Sequence, residues 1–170
     1  GNVTVPAGNT LTVAAGLKLK FGGGDSLIIN GGLVVTGTQT APVYFSSTAD
    51  DELCGLGASN EPICDTKNNG KSSGAIGNWG NIQFNSGSDS NSLISWAIIR
   101  YSGWIGSRLD DGAIRLTGVS PTISYTSLTD NWRGIEALNG STPTLICNNI
   151  YNNTSFGIYN DAPTTPLVVA

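Results

Sequence analysis

The chain of 170 residues is predicted to be all-β and to fold as a right-handed parallel β-helix, a solenoid with coils of about 22 residues and one long inserted loop. Three observations lead to this fold class. The sequence repeats itself at a short interval, its apolar residues alternate with the period of a strand, and Gly, Asn and Pro punctuate it every few residues.

The repeat is clearest in the C-terminal half. The stretches "SPTISYTSLTDNWRGIEAL" from Ser120 and "TPTLICNNIYNNTSFGIY" from Thr142 share a Pro-Thr-apolar start and a Gly-Ile pair. Pro121 and Pro143 lie 22 residues apart. An interval of this size is typical of solenoids, whose coils must each match the coil on which they lie.

Each unit contains two or three strand-like pieces. One series begins at a glycine: "GNIQF" at Gly80, "GAIRL" at Gly112, "GIEAL" at Gly134 and "GIYND" at Gly157. A second series follows it: "SLISWAII" at Ser92, "PTISYTSL" at Pro121 and "PTLICNNI" at Pro143. No segment shows a helical apolar period, and the ladder of leucine-rich repeats is missing. Stacked coils of strands and turns therefore pair as parallel sheets around one core.

This register predicts which side chains point inward and where the coils bend. The residues expected inside are Ile114, Leu116, Ile123, Leu128, Ile135, Leu145, Ile150 and Ile158. No α-helix longer than about two turns is expected. Asn131 and Asn153 end equivalent strands, where we expect a left-handed bend and a ladder of amides along the axis.

The N-terminal third has the same style without a crisp period, and residues 49–78 lack a strand pattern. We therefore predict one β-helix domain over 1–170 with 49–78 as an inserted loop. The chain contains no Met and starts without a signal peptide, so we expect a mature or excised piece of a longer protein. It opens with "NVTV" and finishes with the apolar "PLVVA" (Pro166–Ala170). For uncapped ends of this kind, either downstream sequence has been removed or another molecule covers the terminal coil. If the chain is mature as given, we expect head-to-tail or strand-donating association into an extracellular fibre.

The composition excludes two classes of partner, nucleic acids and the membrane interior. The net charge is −4, only 12% of residues are charged and no basic cluster exists, so a nucleic-acid partner is not expected. No apolar run is long enough for membrane insertion. Histidine is absent, which removes the commonest general base.

The three cysteines predict an oxidising compartment. Cys54 and Cys64 flank a short polar loop, which favours a disulfide and an extracellular or cell-surface location, although two free thiols remain an alternative. Cys147 occupies an apolar repeat position and is expected to be a buried free thiol.

The N-terminal segment "VTVPAGNTLTVAAGLKLKFGGGDSLIINGGLVVTGTQTAPVYFSS" is followed by the loop and by "GNWGNIQFNSGSDSNSLISWAIIRYSG". Together they resemble secreted right-handed parallel β-helix proteins of the pectate-lyase-like superfamily. The chain is most similar to the large bacterial and archaeal surface proteins with β-helix repeats. This resemblance implies the fold, but lyases, hydrolases, adhesins and scaffolds all share it.

The resemblance implies where enzymatic chemistry would lie. Hydrolases need converging carboxylates, and lyases need calcium on acidic residues with a basic residue as proton acceptor. The candidates are Asp110, Asp111, Asp130 and Glu136, with Arg100, Arg115 and Arg133 as cations. Aligning Ile114 with Ile135 makes Arg115 and Glu136 outward-facing neighbours, and we interpret them as a structural ion pair rather than a catalytic pair.

We therefore assign no catalytic, cofactor-binding or metal-binding residue. Calcium at the acidic residues of the loop is the alternative, but a solvated acidic loop is favoured. Those acidic residues are Asp50, Asp51, Glu52 and Asp65.

The aromatic residues divide into two groups. Trp96 and Tyr125 occupy equivalent repeat positions and are expected to stack as structural side chains. Trp104, in the insertion 101–111, and Trp132, at a turn, are the candidate sugar-facing aromatics.

The preferred hypothesis is a non-enzymatic extracellular structural or adhesive module that assembles with itself or with the rest of a larger surface protein. A polysaccharide lyase or glycoside hydrolase is the first alternative. A carbohydrate- or ice-binding module, suggested by the Thr-bearing strands, is the second.

Overall fold

The computed structural model describes residues 1–105, 108–109, 111–161 and 168–169, with side chains described for 1–103 and 111–161. Short strands follow one another around a coil, and each strand pairs with its equivalent in the next coil. The result is the parallel β-solenoid that the repeat predicts.

The strands fall into six successive coils. The first coil holds β1 (Val3–Val5), β2 (Thr10–Ala14) and β3 (Lys18–Phe21), and the second β4 (Leu27–Ile29), β5 (Gly32–Thr36) and β6 (Val43–Ser47). The third holds β7 (Ile82–Phe84), β8 (Leu93–Ser95) and β9 (Ala97–Arg100), followed by the hairpin of β10 (Trp104–Ile105) and β11 (Arg108–Leu109). The fourth holds β12 (Gly112–Thr117), β13 (Thr122–Ser124) and β14 (Ser127–Thr129), and the fifth β15 (Arg133–Leu138), β16 (Thr144–Ile146) and β17 (Asn149–Tyr151). The sixth holds β18 (Ile158–Asn160) and β19 (Val168–Val169).

Three parallel sheets run along the solenoid. Sheet A is formed by the first strand of every coil, in the order β1-β4-β7-β12-β15-β18. Sheet B is formed by the second strands, β2-β5-β8-β13-β16-β19, and sheet C by the third strands, β3-β6-β9-β14-β17. The corners of the solenoid are therefore of three kinds, A to B, B to C and C to A.

The predicted register is confirmed on sheet A, where Ile114 pairs with Ile82 and with Ile135, and Ile135 pairs with Ile158. The predicted inward side chains also lie in the core. Six of them are almost fully buried, namely Ile114, Leu116, Ile123, Leu128, Ile135 and Leu145. Ile150 and Ile158 are partly buried and pack against the core.

The asparagine ladder is confirmed at the C-to-A corner. The Asn153 side-chain oxygen accepts from the Asn131 backbone N–H at 3.1 Å, and Asn131 in turn accepts from the Ser102 N–H at 3.0 Å. The left-handed residues, however, are Asp130 (φ 55°) and Asn152 (φ 55°), each one position earlier than predicted. The bend therefore precedes the ladder, and the asparagine that follows it turns its amide along the axis.

Helix is nearly absent. A single 3-10 turn, Asp51–Cys54, is the only helical element in the described part of the chain, so the prediction of no long helix is confirmed there. No helix among the described residues has the length and apolarity needed to span a membrane.

Candidate functional site

Both long excursions leave the solenoid at the C-to-A corner of neighbouring coils. Residues 48–81 connect β6 to β7, and residues 101–111 connect β9 to β12. They touch each other: the Asn78 N–H donates to the Tyr101 carbonyl at 3.0 Å, and the Gly103 N–H donates to the Gly80 carbonyl at 2.9 Å. Gly74 lies so close to the Tyr101 ring that a Cβ there would sit 2.0 Å from a ring carbon. Both long connections therefore meet at this corner, which makes it the first place to look for a functional site.

The first buried charge cluster fixes the long loop to sheet C. The Arg100 guanidinium grips Asp50 with two hydrogen bonds, Nε to Oδ2 at 2.7 Å and an Nη to Oδ1 at 2.8 Å. Ser46 also donates to the Asp50 carboxylate, which has no exposed surface. Burial would lower the pKa of Arg100, but the hydrogen bond and charge of Asp50 raise it above its ordinary value.

Asp51, the residue after Asp50, makes the second ion pair of this cluster. The Lys20 ammonium donates to the Asp51 carboxylate at 3.0 Å and to the Cys64 carbonyl at 2.8 Å. Asp51 also accepts from the Ser72 hydroxyl, the Ser72 N–H at 3.1 Å and the Thr66 N–H at 3.4 Å. Burial alone would raise the pKa of Asp51, but hydrogen bonds from Ser72 and Lys20 together hold it below its ordinary value.

The solvated acidic loop is thus a wrong prediction for Asp50 and Asp51. These two carboxylates point onto sheet C and carry the loop, because buried charges are stable only when paired and hydrogen-bonded. Glu52 is exposed and lies 3.7 Å from the Lys71 ammonium. Asp65 accepts backbone N–H groups from residues 67, 69 and 70.

The acidic residues of the loop do not converge. Across the described residues, no three His, Cys, Asp or Glu side chains come together in an arrangement that suits a metal ion. A cavity of about 180 Å³ opens beside the loop, and it is lined by Asp51, Glu52, Gly55, Leu56, Pro62 and Lys71.

The predicted disulfide is confirmed, whereas the predicted burial of the third cysteine is wrong. Cys54 and Cys64 form a disulfide with their Cα atoms 5.5 Å apart. Cys147 is free but exposed, so its predicted burial is wrong. It occupies the B-to-C corner in the left-handed conformation, φ 51°, as do Trp96 (φ 52°) and Tyr125 (φ 49°) in the two preceding coils. This conformation interrupts the alternation of the strands and turns the side chain outward.

The second buried charge cluster lies on the outer side of sheet A. Arg115 and Glu136 are paired in register, as predicted, and the Arg115 Nε lies 3.2 Å from Glu136 Oε2. Arg133 donates to Glu136 Oε1 at 2.5 Å, and Arg115 lies 3.6 Å from Asp111. Glu136 is only 4% exposed and Arg115 is half-buried, so the predicted outward-facing ion pair joins a buried carboxylate to a partly exposed guanidinium.

The electrostatics of Glu136 differ from those of the loop carboxylates. Burial and the nearby Asp111 raise the pKa of Glu136 above its ordinary value, and Arg133 and Arg115 only partly offset them. Its Oε2 atom, although close to Arg115, has no hydrogen-bond partner among the described residues. A carboxyl group in such a setting is partly biased toward its neutral form.

Two aromatic rings, Phe156 and Tyr159, lie beside this cluster, and the sequence analysis does not predict them. The Arg133 guanidinium lies 5.0 Å from the centroid of the Tyr159 ring and 5.9 Å from that of Phe156. Phe156 remains 50% exposed. The repeat gives a signal for both rings, since the register pairs Tyr159 with Glu136 and the Gly134 N–H donates to the Phe156 carbonyl.

The remaining predicted candidates do not join these clusters. Asp130 lies at the corner and accepts from Thr129 at 2.8 Å and from Asn152. The Trp132 side chain is half-buried, with Gly103 packed against its Cβ. Asp110 and the side chain of Trp104 lie outside the described residues.

Trp96 and Tyr125 stack as predicted. Their ring centroids are 4.7 Å apart and their planes differ by 7°. The spacing equals the separation of neighbouring coils, which is about 4.8 Å.

Neither the family models, the curated proteins nor the solved structures contain a match. The solenoid is therefore established by the structure, and the superfamily resemblance rests on the sequence pattern.

Proposed function

We propose that this chain is a non-enzymatic extracellular module, a rigid structural or adhesive β-solenoid within a larger surface protein. The observation that carries the proposal is the state of the candidate catalytic carboxylates. Glu136 lies between Arg115 and Arg133, and Asp111 faces Arg115. Carboxylates paired with arginines in this way support a structural role rather than a catalytic one.

Two further features support an extracellular structural role. The Cys54–Cys64 disulfide belongs to an oxidising compartment. The excursion 48–81 is fixed to the solenoid by the ion pairs of Asp50 and Asp51, and Ser102 and Gly103 of the second excursion take part in backbone hydrogen bonds, which supports a rigid surface element.

Self-assembly is part of the same proposal. In the described chain, the outermost strands of each sheet pair on one side only. Either a continuing chain or a second copy would pair with these edges, and the latter would give an open head-to-tail fibre. Light scattering and electron microscopy test this, since strictly monomeric particles at high concentration would contradict fibre formation.

Polysaccharide lysis or hydrolysis is the second candidate, favoured by the raised pKa of the Glu136 carboxyl beside Asp111. The two functions are separated by incubating the protein with acidic and neutral polysaccharides, with and without calcium, and measuring released reducing ends and unsaturated products. No turnover is expected. Turnover that Glu136→Gln or Asp111→Asn abolishes would replace the structural role with an enzymatic one.

A further inference from the structure

Sheet B differs from the other two sheets in its chemistry. Its strands β2, β5, β8, β13, β16 and β19 contain no charged residue. Sheet C carries Lys18, Lys20 and Arg100 on its strands, and sheet A carries Arg115, Arg133 and Glu136. One of the three flanks of an acidic protein is thus free of charge.

The outer side of sheet B bears hydroxyl and methyl groups in register. Because inward residues such as Leu33, Val35 and Ile123 fill the core, their strand neighbours point outward. The row running along the axis is formed by Thr12, Val34, Leu93, Thr122 and Thr144, paired coil by coil. A second row contains Ser95 and Ser124, whose hydroxyls are 3.1 Å apart. These side chains are exposed or half-buried, except Ser124.

The stacked aromatic pair borders this face. Trp96 and Tyr125 follow strands β8 and β13 directly and lie at the B-to-C corner. The equivalent position in the preceding coil is Gly37 and in the following coil Cys147, as the backbone hydrogen bonds from Gly37, Trp96 and Tyr125 to the next coil show. Tyr125 is 45% exposed and has only the small Cys147 on its far side, so one of its ring faces has no aromatic neighbour.

We propose that the outer side of sheet B and the free face of Tyr125 together bind an extended, neutral polysaccharide. This inference rests on the adhesive role proposed above and assigns it a surface and a partner. The absence of charge decides the class of glycan, because an acidic polysaccharide would find no cation on this face and a protein of net charge −4. Sugar hydroxyls match the Thr and Ser rows, and the apolar face of a sugar ring matches an aromatic ring.

The test uses the whole chain in affinity gel electrophoresis with a soluble β-glucan, a mannan and a xylan, and in sedimentation with insoluble cellulose and chitin. Polygalacturonate serves as the charged comparison. We expect retention on at least one neutral glycan that persists at high salt. Thr122→Lys, at the centre of the face, should abolish retention. Tyr125→Asn, which keeps a residue tolerant of the left-handed conformation, should weaken it about two- to tenfold.

Matched controls lie on sheet C. Ser127→Lys introduces the same charge on the outer side of a sheet C strand, and Tyr151→Asn removes an equally exposed tyrosine, so both should leave retention unchanged. Circular dichroism and thermal unfolding confirm folding, and Thr144→Lys replaces Thr122→Lys if that variant does not fold.

Several results would overturn the inference. They are retention by polygalacturonate alone, retention that salt removes, equal loss in the control variants, or a dimer or ice affinity that Thr122→Lys disrupts without any glycan retention. Absence of both retention and turnover overturns this inference alone. Turnover of a polysaccharide overturns the proposed function whether or not sheet B binds.

Discussion

The carboxylates on sheet C and on sheet A are both buried against cations, yet they reach opposite electrostatic states. Asp51 accepts hydrogen bonds from Lys20, Thr66 and Ser72, and its pKa is lowered. For Glu136, burial and the nearby Asp111 raise the pKa, although Arg133 donates to Oε1 and Arg115 lies 3.2 Å from Oε2. The comparison indicates that hydrogen bonds and positive charge lower the pKa of a carboxylate only where they outweigh burial and nearby negative charge.

The two clusters also differ in which parts of the chain they connect. The sheet C cluster joins residues far apart in sequence, since Asp50 and Arg100 are separated by 50 positions, and it attaches an entire loop. The sheet A cluster joins side chains on adjacent strands that the backbone already pairs. Loss of a contact should therefore cost more on sheet C.

The largest effect is expected from Arg100→Leu. This change leaves the Asp50 carboxylate buried with Ser46 as its remaining hydroxyl donor. Removing one partner of a buried ion pair costs about 3–5 kcal/mol of unfolding free energy. Denaturation in urea, followed by fluorescence, measures it.

Arg115→Leu is the matched change on sheet A. Glu136 retains Arg133 and can take up a proton, so the cost should stay near 1 kcal/mol. Equal losses for the two arginine variants would contradict the distinction between the clusters.

The disulfide should contribute the next largest effect. Cys54 and Cys64 are 10 positions apart, and opening a ring of this size costs about 2–3 kcal/mol in the chain-entropy estimate. The double variant Cys54→Ser/Cys64→Ser is compared with Cys147→Ser, an exposed free cysteine whose change should stay within about 0.5 kcal/mol.

Coupling between variants sharpens this result. Cys64 supplies the carbonyl that Lys20 binds, so loss of the disulfide should be non-additive with Arg100→Leu and additive with Glu136→Gln. Additivity in both cases would show that the loop docks independently of its disulfide.

The sequence predicts the parts of this molecule that repeat. Alignment of the repeated segments with one another predicts the register of Ile114 with Ile135, the Trp96–Tyr125 stack and the contact of Arg115 with Glu136. These features depend only on one coil lying upon the next.

The sequence does not predict contacts that occur once. Asp50 meets Arg100 through a loop with no repeat, and its buried position follows from docking that no local pattern records. The predicted burial of Cys147 is wrong because the inward-outward alternation of a strand does not continue through a corner where φ becomes positive.

A smaller difference is expected between two neutralising variants. Asp51→Asn removes charge-assisted hydrogen bonds from Lys20 and Ser72 and should cost about 1.5–3 kcal/mol. Glu136→Gln also removes a desolvated charge that is incompletely bonded, so its cost at neutral pH should be about 1 kcal/mol or less. Urea denaturation of both variants at one pH measures the two losses of unfolding free energy. A larger loss for Glu136→Gln would contradict the comparison.

The smallest and most diagnostic effect is the opposite pH dependence of the two carboxylates. The pKa of Asp51 is lowered from 3.8, so its stabilising contribution is present above that pH and is lost as the pH falls through the folded-state pKa. The pKa of Glu136 is raised from 4.5, so its contribution is present below that pH and is lost as the pH rises through the folded-state pKa. The stability of the wild type relative to Asp51→Asn should therefore fall on acidification, whereas its stability relative to Glu136→Gln should rise. Unfolding free energies measured across acidic pH, from below 3.8 to above 4.5, test both slopes, and slopes of the same sign would show that Glu136 is as well satisfied as Asp51.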